Sequence, residues 1–422
     1  MIVPSIDLMG GQTVQLVGGK DKAIDAGDPL PIAETFRLAG EIAVIDLDAA
    51  LGQGSNAELV EKLCAVASCR VGGGIRDVET AVRWLDAGAS KIILGTAARA
   101  EVLRKLPKSR LIAALDAMDG EVVVEGWRTK TGLSVIDRMA ELKEHVSGFL
   151  VTFVEREGRL GGTALERVEE IVRMAAPARV TIAGGVTTAE EIASIDGMGA
   201  DAQVGMALYT GRLGLAEAIA APLRTDRADG LWATVVVDEG GKALGLAWSN
   251  AESLREAVRL RKGVYHSRSR GLWVKGESSG ATQELLRIDH DCDRDALRFT
   301  VRQGGAGFCH ENTWTCWGED RGISQLARLL AARVREAPEG SYTRRLLSEP
   351  DLLRSKLVEE AKELAAASEP GHVAAEAADV VYFALVAIAR AGVRLEDVER
   401  ELDRRTLRVS RRPGNAKPEE EG

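Results

Sequence analysis

Val71-Gly-Gly-Gly-Ile-Arg76 returns as Ala183-Gly-Gly-Val-Thr187, which sets Gly73-Gly74-Ile75 and Gly184-Gly185-Val186 about 110 residues apart. Two further pairs keep that spacing: Ile6-Asp7 with Leu115-Asp116, and Leu94-Gly95-Thr96 with Val204-Gly205-Met206. A near-constant offset implies a duplicated half-domain with two equivalent sites. Around these landmarks, β-rich runs at 2–8, 42–48, 69–75, 91–96, 110–117, 148–154, 178–185 and 202–208 alternate with helical patterns. That alternation predicts a (β/α)8 TIM barrel over residues 1–222. Glycines at strand C-termini let backbone N–H groups approach a phosphate. Gly74, Gly95 and Thr96 in one half, and Gly184, Gly185 and Gly205 in the other, are therefore candidate phosphate cradles. A doubled cradle suits an elongated ligand with a phosphate at each end. Asp7 and Asp116 close the first strand of each half, and such a facing pair can serve as general base and general acid.

The totals bound the rest. The chain has 422 residues, 28% charged and 45% hydrophobic, with a net charge of −9 and five cysteines. This suits several soluble domains with real cores and offers no basic field for nucleic acid. Ile2–Leu8 reads as a strand and not as a signal peptide, and no apolar run approaches the ~20 residues of a membrane span. The expected location is the cytoplasm, with no nucleic-acid or membrane partner.

The polar, turn-rich stretch Thr225-Asp-Arg-Ala-Asp-Gly230 opens a second domain at 223–320. Trp232–Val237 and Leu244–Trp248 read as hairpin strands around Glu239-Gly-Gly241, and a helical pattern follows over 251–261. Cys292, Cys309 and Cys316 surround Asp291-Cys-Asp-Arg-Asp295, with His310 beside the second thiol. Three thiolates can hold zinc and leave a fourth position for a water. Asp291, Asp293 and Asp295 alternate, so an extended strand would put all three carboxylates on one face, ready for Mg²⁺. The bland alternative is a solvated acidic turn with incidental thiols. Upstream, Tyr265-His-Ser-Arg-Ser-Arg270 and Leu272-Trp-Val-Lys-Gly-Glu277 supply Arg268, Arg270 and Lys275 for a phosphate–ribose cradle, or else form a solvated basic loop.

Residues 321–412 read as all helix. An amphipathic stretch, Leu326–Arg335, is broken at Pro338-Glu-Gly-Ser-Tyr-Thr343. Glu360 with Glu363, and Glu376 with Asp379, are acidic pairs at i, i+3, each on one helix face. Four converging carboxylates repel one another unless cations such as Mg²⁺ sit between them. The second pair is the more telling, because it lies in an apolar helix. The tail 413–422, ending Pro418-Glu-Glu-Glu-Gly422, is expected to be disordered.

Three resemblances attach to these motifs. Ile6-Asp-Leu8, Val71–Arg76, Ala114-Leu-Asp-Ala-Met-Asp-Gly120, Gly126-Trp127 and Ala183–Thr187 resemble the histidine-biosynthesis isomerase acting on phosphoribosylformimino-5-aminoimidazole carboxamide ribotide. The resemblance implies an Amadori rearrangement of a substrate with two phosphates. Asp7 would be the base, Asp116 the acid that opens the ribose, and Thr152 an assistant at the sixth strand. Gln15-Leu-Val-Gly-Gly19, Thr152-Phe-Val154 and Gly205-Met206 depart from the usual bacterial pattern and resemble the eukaryotic-type branch.

The middle segment, through Ser267-Arg-Ser-Arg270, Leu272–Glu277, Asp291–Asp295 and Phe308-Cys-His310, resembles phosphoribosyl-AMP cyclohydrolase. That implies hydrolysis of the adenine N1–C6 bond, zinc on Cys292, Cys309 and Cys316, proton transfer by His310 and Mg²⁺ on the three aspartates. A zinc site shared across a homodimer is implied too. Ser341-Tyr-Thr-Arg-Arg-Leu346, Lys356–Glu363 and Glu376-Ala-Ala-Asp-Val-Val-Tyr382 resemble phosphoribosyl-ATP pyrophosphohydrolase of the MazG-like helical type. Its Mg²⁺ ligands would be Glu360, Glu363, Glu376 and Asp379, with Glu359 as a further candidate. The last two segments look most like parts of the fungal multifunctional histidine enzymes. The architecture expected is thus a TIM barrel, a small α+β zinc domain and a helical domain, with likeness to three successive steps of one pathway. Two rivals stand beside it: a barrel that binds phosphate without reacting, and a helical domain that is a general nucleotide pyrophosphatase.

Overall fold

The computed structural model describes residues 1–410 except Glu125, Gly126, Arg128 and Glu319. Gly126 and the tail 413–422 therefore lie outside the described residues. By internal contacts the chain forms two units, one of Met1–Val237, Leu246–Gly305 and the segment from Leu407, the other of Asp238–Gly245 and Ala306–Thr406.

Eight parallel strands close the barrel in the first unit. They are β1 (Ile2–Met9), β2 (Glu41–Asp46), β3 (Ser68–Gly72), β4 (Lys91–Leu94), β5 (Leu111–Met118), β6 (Gly148–Phe153), β7 (Arg179–Ala183) and β8 (Asp201–Val204). Each pairs with its successor, and β8 returns to β1 with Ile2 beside Ala202. The β-branched, apolar-rich runs read from the sequence are these strands, to within a few residues. Strands buried on both faces favour such composition. Ile93, Ile112, Leu150 and Ala183 fill the interior, with Ile45 and Ala114 against them.

The two ends of the barrel differ electrostatically. At the N-terminal end charges stand in pairs: Arg70 Nε donates to Glu41 at 2.7 Å and Lys91 Nζ lies 2.9 Å from the same carboxylate. Arg179 clamps the buried Asp201 at 2.8 and 2.9 Å, and this holds that carboxyl well below its usual range despite burial. Arg70 Nη1 also donates to Thr181 Oγ1 at 2.9 Å. These two residues occupy equivalent places in the two halves, so the duplication meets itself across the barrel. At the C-terminal end Asp7, Asp116 and Glu157 have no cationic partner among the described residues.

One feature of the repeat was not read from the sequence. After β1 the chain makes an antiparallel excursion, Gln12–Val17 and Asp21–Gly27, and after β5 another, Glu121–Val124 and Thr129–Ser134. Both halves thus carry a hairpin over the mouth. Gly19, from the first, lies against the ring of Trp127, from the second; a Cβ there would stand 2.4 Å from the indole.

A mixed sheet follows, in the order Ala243–Ser249, Trp232–Val237, Ala296–Gln303, Gln283–His290. Trp232–Val237 runs parallel to Ala296–Gln303, which pairs antiparallel with Gln283–His290. The helix Ala251–Leu260 packs beside a small hairpin, Val264–Ser267 with Gly271–Val274. Buried Tyr265 anchors this layer: its ring meets Phe299 at 5.6 Å and its hydroxyl donates to Gln283 at 2.7 Å.

In the second unit five helices, Ile323–Glu336, Tyr342–Ser348, Pro350–Ala366, Pro370–Arg390 and Leu395–Thr406, pack around Leu330, Leu346, Leu353, Phe383 and Val386. Pro350 and Pro370 open the two long helices, where a missing N–H costs nothing. The helix Pro370–Arg390, 21 residues with mean hydropathy 1.6, is long and apolar enough to cross a membrane by length and composition. It holds no unbroken apolar run of that length, because His372, Glu376 and Asp379 interrupt it while its alanines and valines keep the average high.

Candidate active sites

Asp7 and Asp116 occupy equivalent places near the ends of β1 and β5, each two residues before the strand stops. Burial pushes the Asp7 carboxyl up to about 7, opposed by a hydrogen bond from the Gln15 amide, whose Nε2 lies 3.3 Å away. Asp116 is also raised by burial, against side-chain hydrogen bonds to Trp127 and Thr152. Thr152 faces Asp116 in register on β6, so the parallel pairing itself delivers that hydroxyl. A third carboxyl, Glu157, is pushed up to about 8 by burial and then by the charges of Asp7 and Asp116. Tyr209 completes the surround: its hydroxyl donates to Ser5 O at 2.9 Å, and burial and Asp7 raise its pKa. Three carboxyls that ionise reluctantly in one mouth can hold and pass protons near neutral pH.

Glu157 was missed. In Val154-Glu-Arg-Glu-Gly158 it looks like one charge of an ordinary loop. Only the closure of the barrel, with Gly18 N donating to Glu157 O at 3.2 Å, brings it to the other two.

The glycines differ in what they do. Gly73 and Gly184 play the same part in the two halves. A Cβ on either would fall 2.2 Å from Asp46 O or 2.4 Å from Phe153 O, and both have positive φ. Gly74 and Gly185 are similarly crowded, against Ala49 and Gly162. Gly95, by contrast, has nothing within 4 Å of a Cβ position, so no protein neighbour demands a glycine there. A narrow pocket runs past Ser5, Glu157, Gly184, Gly185, Gly205 and Met206, joining the second cradle to the Glu157 carboxyl. Gly74, Gly95 and Thr96 lie after β3 and β4, on the other half.

In the mixed-sheet region an open pocket of about 510 Å³ is lined by Trp248, His266, Ser267, Arg268, Arg270 and Trp273, among others. Arg227 stacks over Trp248 at 4.0 Å, while Arg270 and Lys275 each lie 5.5 Å from the Trp273 ring. Asn250 holds His266 Nδ1 at 3.1 Å.

Asp291, Asp293 and Asp295 do converge, with one oxygen from each within 4.8 Å of the others. The means differ from those expected. The strand ends at His290, and a turn, not strand alternation, gathers the carboxylates, with Arg294 at φ 69°. Asp291 Oδ1 accepts from the backbone N–H of Asp295 at 3.1 Å and of Ala296 at 3.2 Å. The all-oxygen donor set suits a hard divalent cation.

Cys292 stands exposed on this turn in the first unit. Cys309 and Cys316 belong to the second unit, on a loop reversed at Asn312, where Cys309 N donates to Thr313 O. Backbone and side-chain hydrogen bonds, including one with Cys316, lower the Cys309 thiol, and His310 Nδ1 lies 3.9 Å from its sulfur. A thiol that ionises readily beside an imidazole, as Cys309 does, is a donor of the kind zinc takes.

In the helical unit Glu360, Glu363 and Glu376 place one oxygen each within 4.8 Å of the others. Buried Glu376 Oε2 has no hydrogen-bond partner, and burial, then Glu360 and Glu376, raise Glu363. An orphaned carboxylate oxygen inside a like-charged group fits a divalent cation. Asp379 is exposed and outside this trio, and Glu359 is exposed and paired with Lys356 at 2.8 Å.

Three family models match in chain order: histidine biosynthesis protein over residues 1–214, phosphoribosyl-AMP cyclohydrolase over 245–318, and phosphoribosyl-ATP pyrophosphohydrolase over 323–406. The chain belongs to the histidine biosynthesis protein family. Its likeness within that family extends to a Gemmatimonas aurantiaca imidazole-4-carboxamide isomerase, 39% identical over 225 residues, covering 50% of this chain and 94% of the relative. A histidine biosynthesis trifunctional protein of Neurospora crassa is 38% identical over 348 residues, 81% of this chain and 38% of the relative. A histidine biosynthesis bifunctional protein of Schizosaccharomyces pombe is 51% identical over 206 residues, 49% of each. The chain thus spans half or less of the length of these fungal relatives. Cyclohydrolases of the matched kind are metal-dependent, in keeping with the carboxylate turn.

Proposed function

We propose that this histidine-biosynthesis chain performs three successive reactions: it hydrolyses phosphoribosyl-ATP to phosphoribosyl-AMP and pyrophosphate, opens the adenine ring of phosphoribosyl-AMP, and isomerises the aldose so formed to the ketose. The observation that carries this reading is the ordered set of three family matches, each laid over its own cluster of reactive groups. Chance matches would not share intermediates.

In the helical unit Glu360, Glu363 and Glu376 would hold Mg²⁺, which supplies charge neutralisation at the triphosphate. Lys356, salt-bridged to Glu360 at 3.1 Å, holds that carboxylate in place. In the second module Cys309 and Cys316 would contribute ligands to zinc, whose contribution is Lewis-acid activation of water. His310 moves the proton, Arg268, Arg270 and Lys275 bind phosphate and ribose, and the three aspartates take Mg²⁺. In the barrel Asp7 removes a proton from the ribose-derived carbon and Asp116, steadied by Thr152, protonates the ring oxygen. An Asp7 carboxyl titrating near 7 is suited to both taking and returning a proton at neutral pH. The glycine cradles of the two halves bind the two phosphates.

A homodimer in the cytoplasm completes the reading. The exposed apolar surface of Pro370–Arg390, whose most hydropathic window is only 17% buried within the chain, supports self-association through the helical unit. The test is product analysis by mass-resolved chromatography after incubation with phosphoribosyl-ATP, Mg²⁺ and Zn²⁺. Ketose must accumulate, identified by retention time because isomerisation leaves the mass unchanged. A halt at the aldose would mean that the barrel only binds. Equal turnover of free nucleoside triphosphates would turn the helical unit into a general pyrophosphatase.

A further inference from the structure

The turn Asp291–Asp295 poses a physical problem. Three carboxylates crowd an exposed loop and repel one another, and Arg294, the one cation in the turn, does not neutralise them. Its guanidinium reaches instead to Asp196 on the barrel helix Ala189–Gly197, with Nε at 3.0 Å and Nη2 at 2.9 Å from the two carboxylate oxygens. Its Nη1 donates to Asp291 O, at the start of the same turn, at 2.7 Å. One side chain thus ties the turn to itself and to the barrel. The contact is well shielded: side-chain exposure is 16% for Arg294 and 8% for Asp196. The Met1 amino group also lies 2.7 Å from Asp196.

Two further ties reach the same turn from the barrel side. Arg294 O accepts from Arg224 N at 2.8 Å, and the His290 ring nitrogen meets Ile219 O at 2.7 Å. Arg294 takes a positive φ of 69°, a conformation that a non-glycine residue keeps only when its surroundings hold it there.

We propose that the barrel is a positioning element for the second module's chemistry: Asp196, through Arg294, holds the Asp291–Asp295 turn in the form that gathers its three carboxylates. The inference rests on the cyclohydrolase reading for its consequence, but not for its geometry. Asp196 touches neither substrate nor metal and acts only through Arg294. The isomerase barrel and the hydrolase module would then be joined by more than a linker, since the helix Ala189–Gly197 serves the neighbouring site.

The test uses the full chain with Asp196→Asn, Asp196→Glu and Arg294→Lys. Amide exchange read by mass spectrometry on the peptide around Asp291–Ala296, without metal, should quicken in Asp196→Asn. The Asp295 and Ala296 amides, which donate to Asp291, should be most affected. The Mg²⁺ concentration for half-maximal hydrolysis of phosphoribosyl-AMP should rise roughly tenfold, as for loss of a partner that orients metal ligands. Saturating Mg²⁺ should recover the rate, and Asp196→Glu should restore both readouts. Isomerisation and pyrophosphate release should not move. A general loss of folding would not be rescued by Mg²⁺. Unchanged exchange together with an unchanged Mg²⁺ requirement in folded Asp196→Asn overturns the proposal. If that variant does not fold, Arg294→Lys, which keeps the charge and loses the paired geometry, is judged by the same two readouts. A wild-type chain that fails to hydrolyse phosphoribosyl-AMP would remove the cyclohydrolase reading, while amide exchange would still decide the clamp.

Discussion

Asp7→Asn should stabilise the barrel at alkaline pH and do progressively less as the pH falls. Burial moves this carboxyl from 3.8 to about 7, with the Gln15 amide working the other way. A folded pKa above the unfolded one means that the folded chain binds more protons between the two values. The associated stability is fully present below about 4 and is lost as pH rises through about 7. Three units at ~1.4 kcal/mol each set a ceiling of ~4 kcal/mol. The mouth of the barrel admits water and its side chains can move, so an effective response of ~1–2 kcal/mol is the realistic size. Glu157 adds to it with the same sign, because the Asp7 charge is among the causes that raise Glu157 to about 8. Asparagine fills the same space without titrating. Calorimetric unfolding of the full chain near pH ~5 and ~8.5 should show the variant's midpoint gaining on wild type by ~3–6 °C at the higher pH and by less at the lower. The same variant should lose isomerisation. A midpoint difference that stays constant across the pH range would refute the reasoning, because it would mean that Asp7 ionises in the folded barrel as it does in water.

Glu157→Gln should remove an inflection near pH 8 from the pH dependence of kcat/KM for isomerisation and leave the one near 7, where Asp7 titrates. Gly184→Ala should cost ~2 kcal/mol or more in thermal unfolding, since its Cβ would stand 2.4 Å from Phe153 O at a positive φ. Gly95→Ala, with nothing within 4 Å, should leave the midpoint unchanged and raise KM for the isomerase substrate instead. In the presence of a chelator, Glu376→Gln should raise the midpoint of the helical unit by relieving repulsion with Glu360 and Glu363. Added Mg²⁺ should stabilise wild type and not the variant, and pyrophosphate release should be lost.

The barrel was legible because its evidence is local and repeated. Strands buried on both faces read as apolar runs, and the duplication writes each landmark twice, as with Asp7 and Asp116 or Gly73 and Gly184. The hairpins after β1 and β5 were not legible. Gln12–Gly27 is too polar and too irregular for period-two alternation to stand out, since it covers the mouth and not a core. The Asp291–Asp295 cluster was found by its composition but explained by the wrong geometry. Alternation on a strand and a tight turn both bring such carboxylates together, and residue spacing does not distinguish them.

Composition, periodicity and motif by themselves determined the order of the three modules, the strand pattern and most of the chemically apt side chains, because these depend on neighbours close in the chain. Tertiary structure alone decided which carboxyls meet. Glu157 joins Asp7 and Asp116 only when β6 closes beside β5. Glu376 is left with an unpartnered oxygen only when two helices pack, and Arg294 turns from its own acidic neighbours to Asp196 only when the mixed sheet meets the barrel. The physical reason is common to all three: a pKa, an orphaned acceptor or a shielded ion pair is set by what surrounds a group in space, and chain distance carries little of that information.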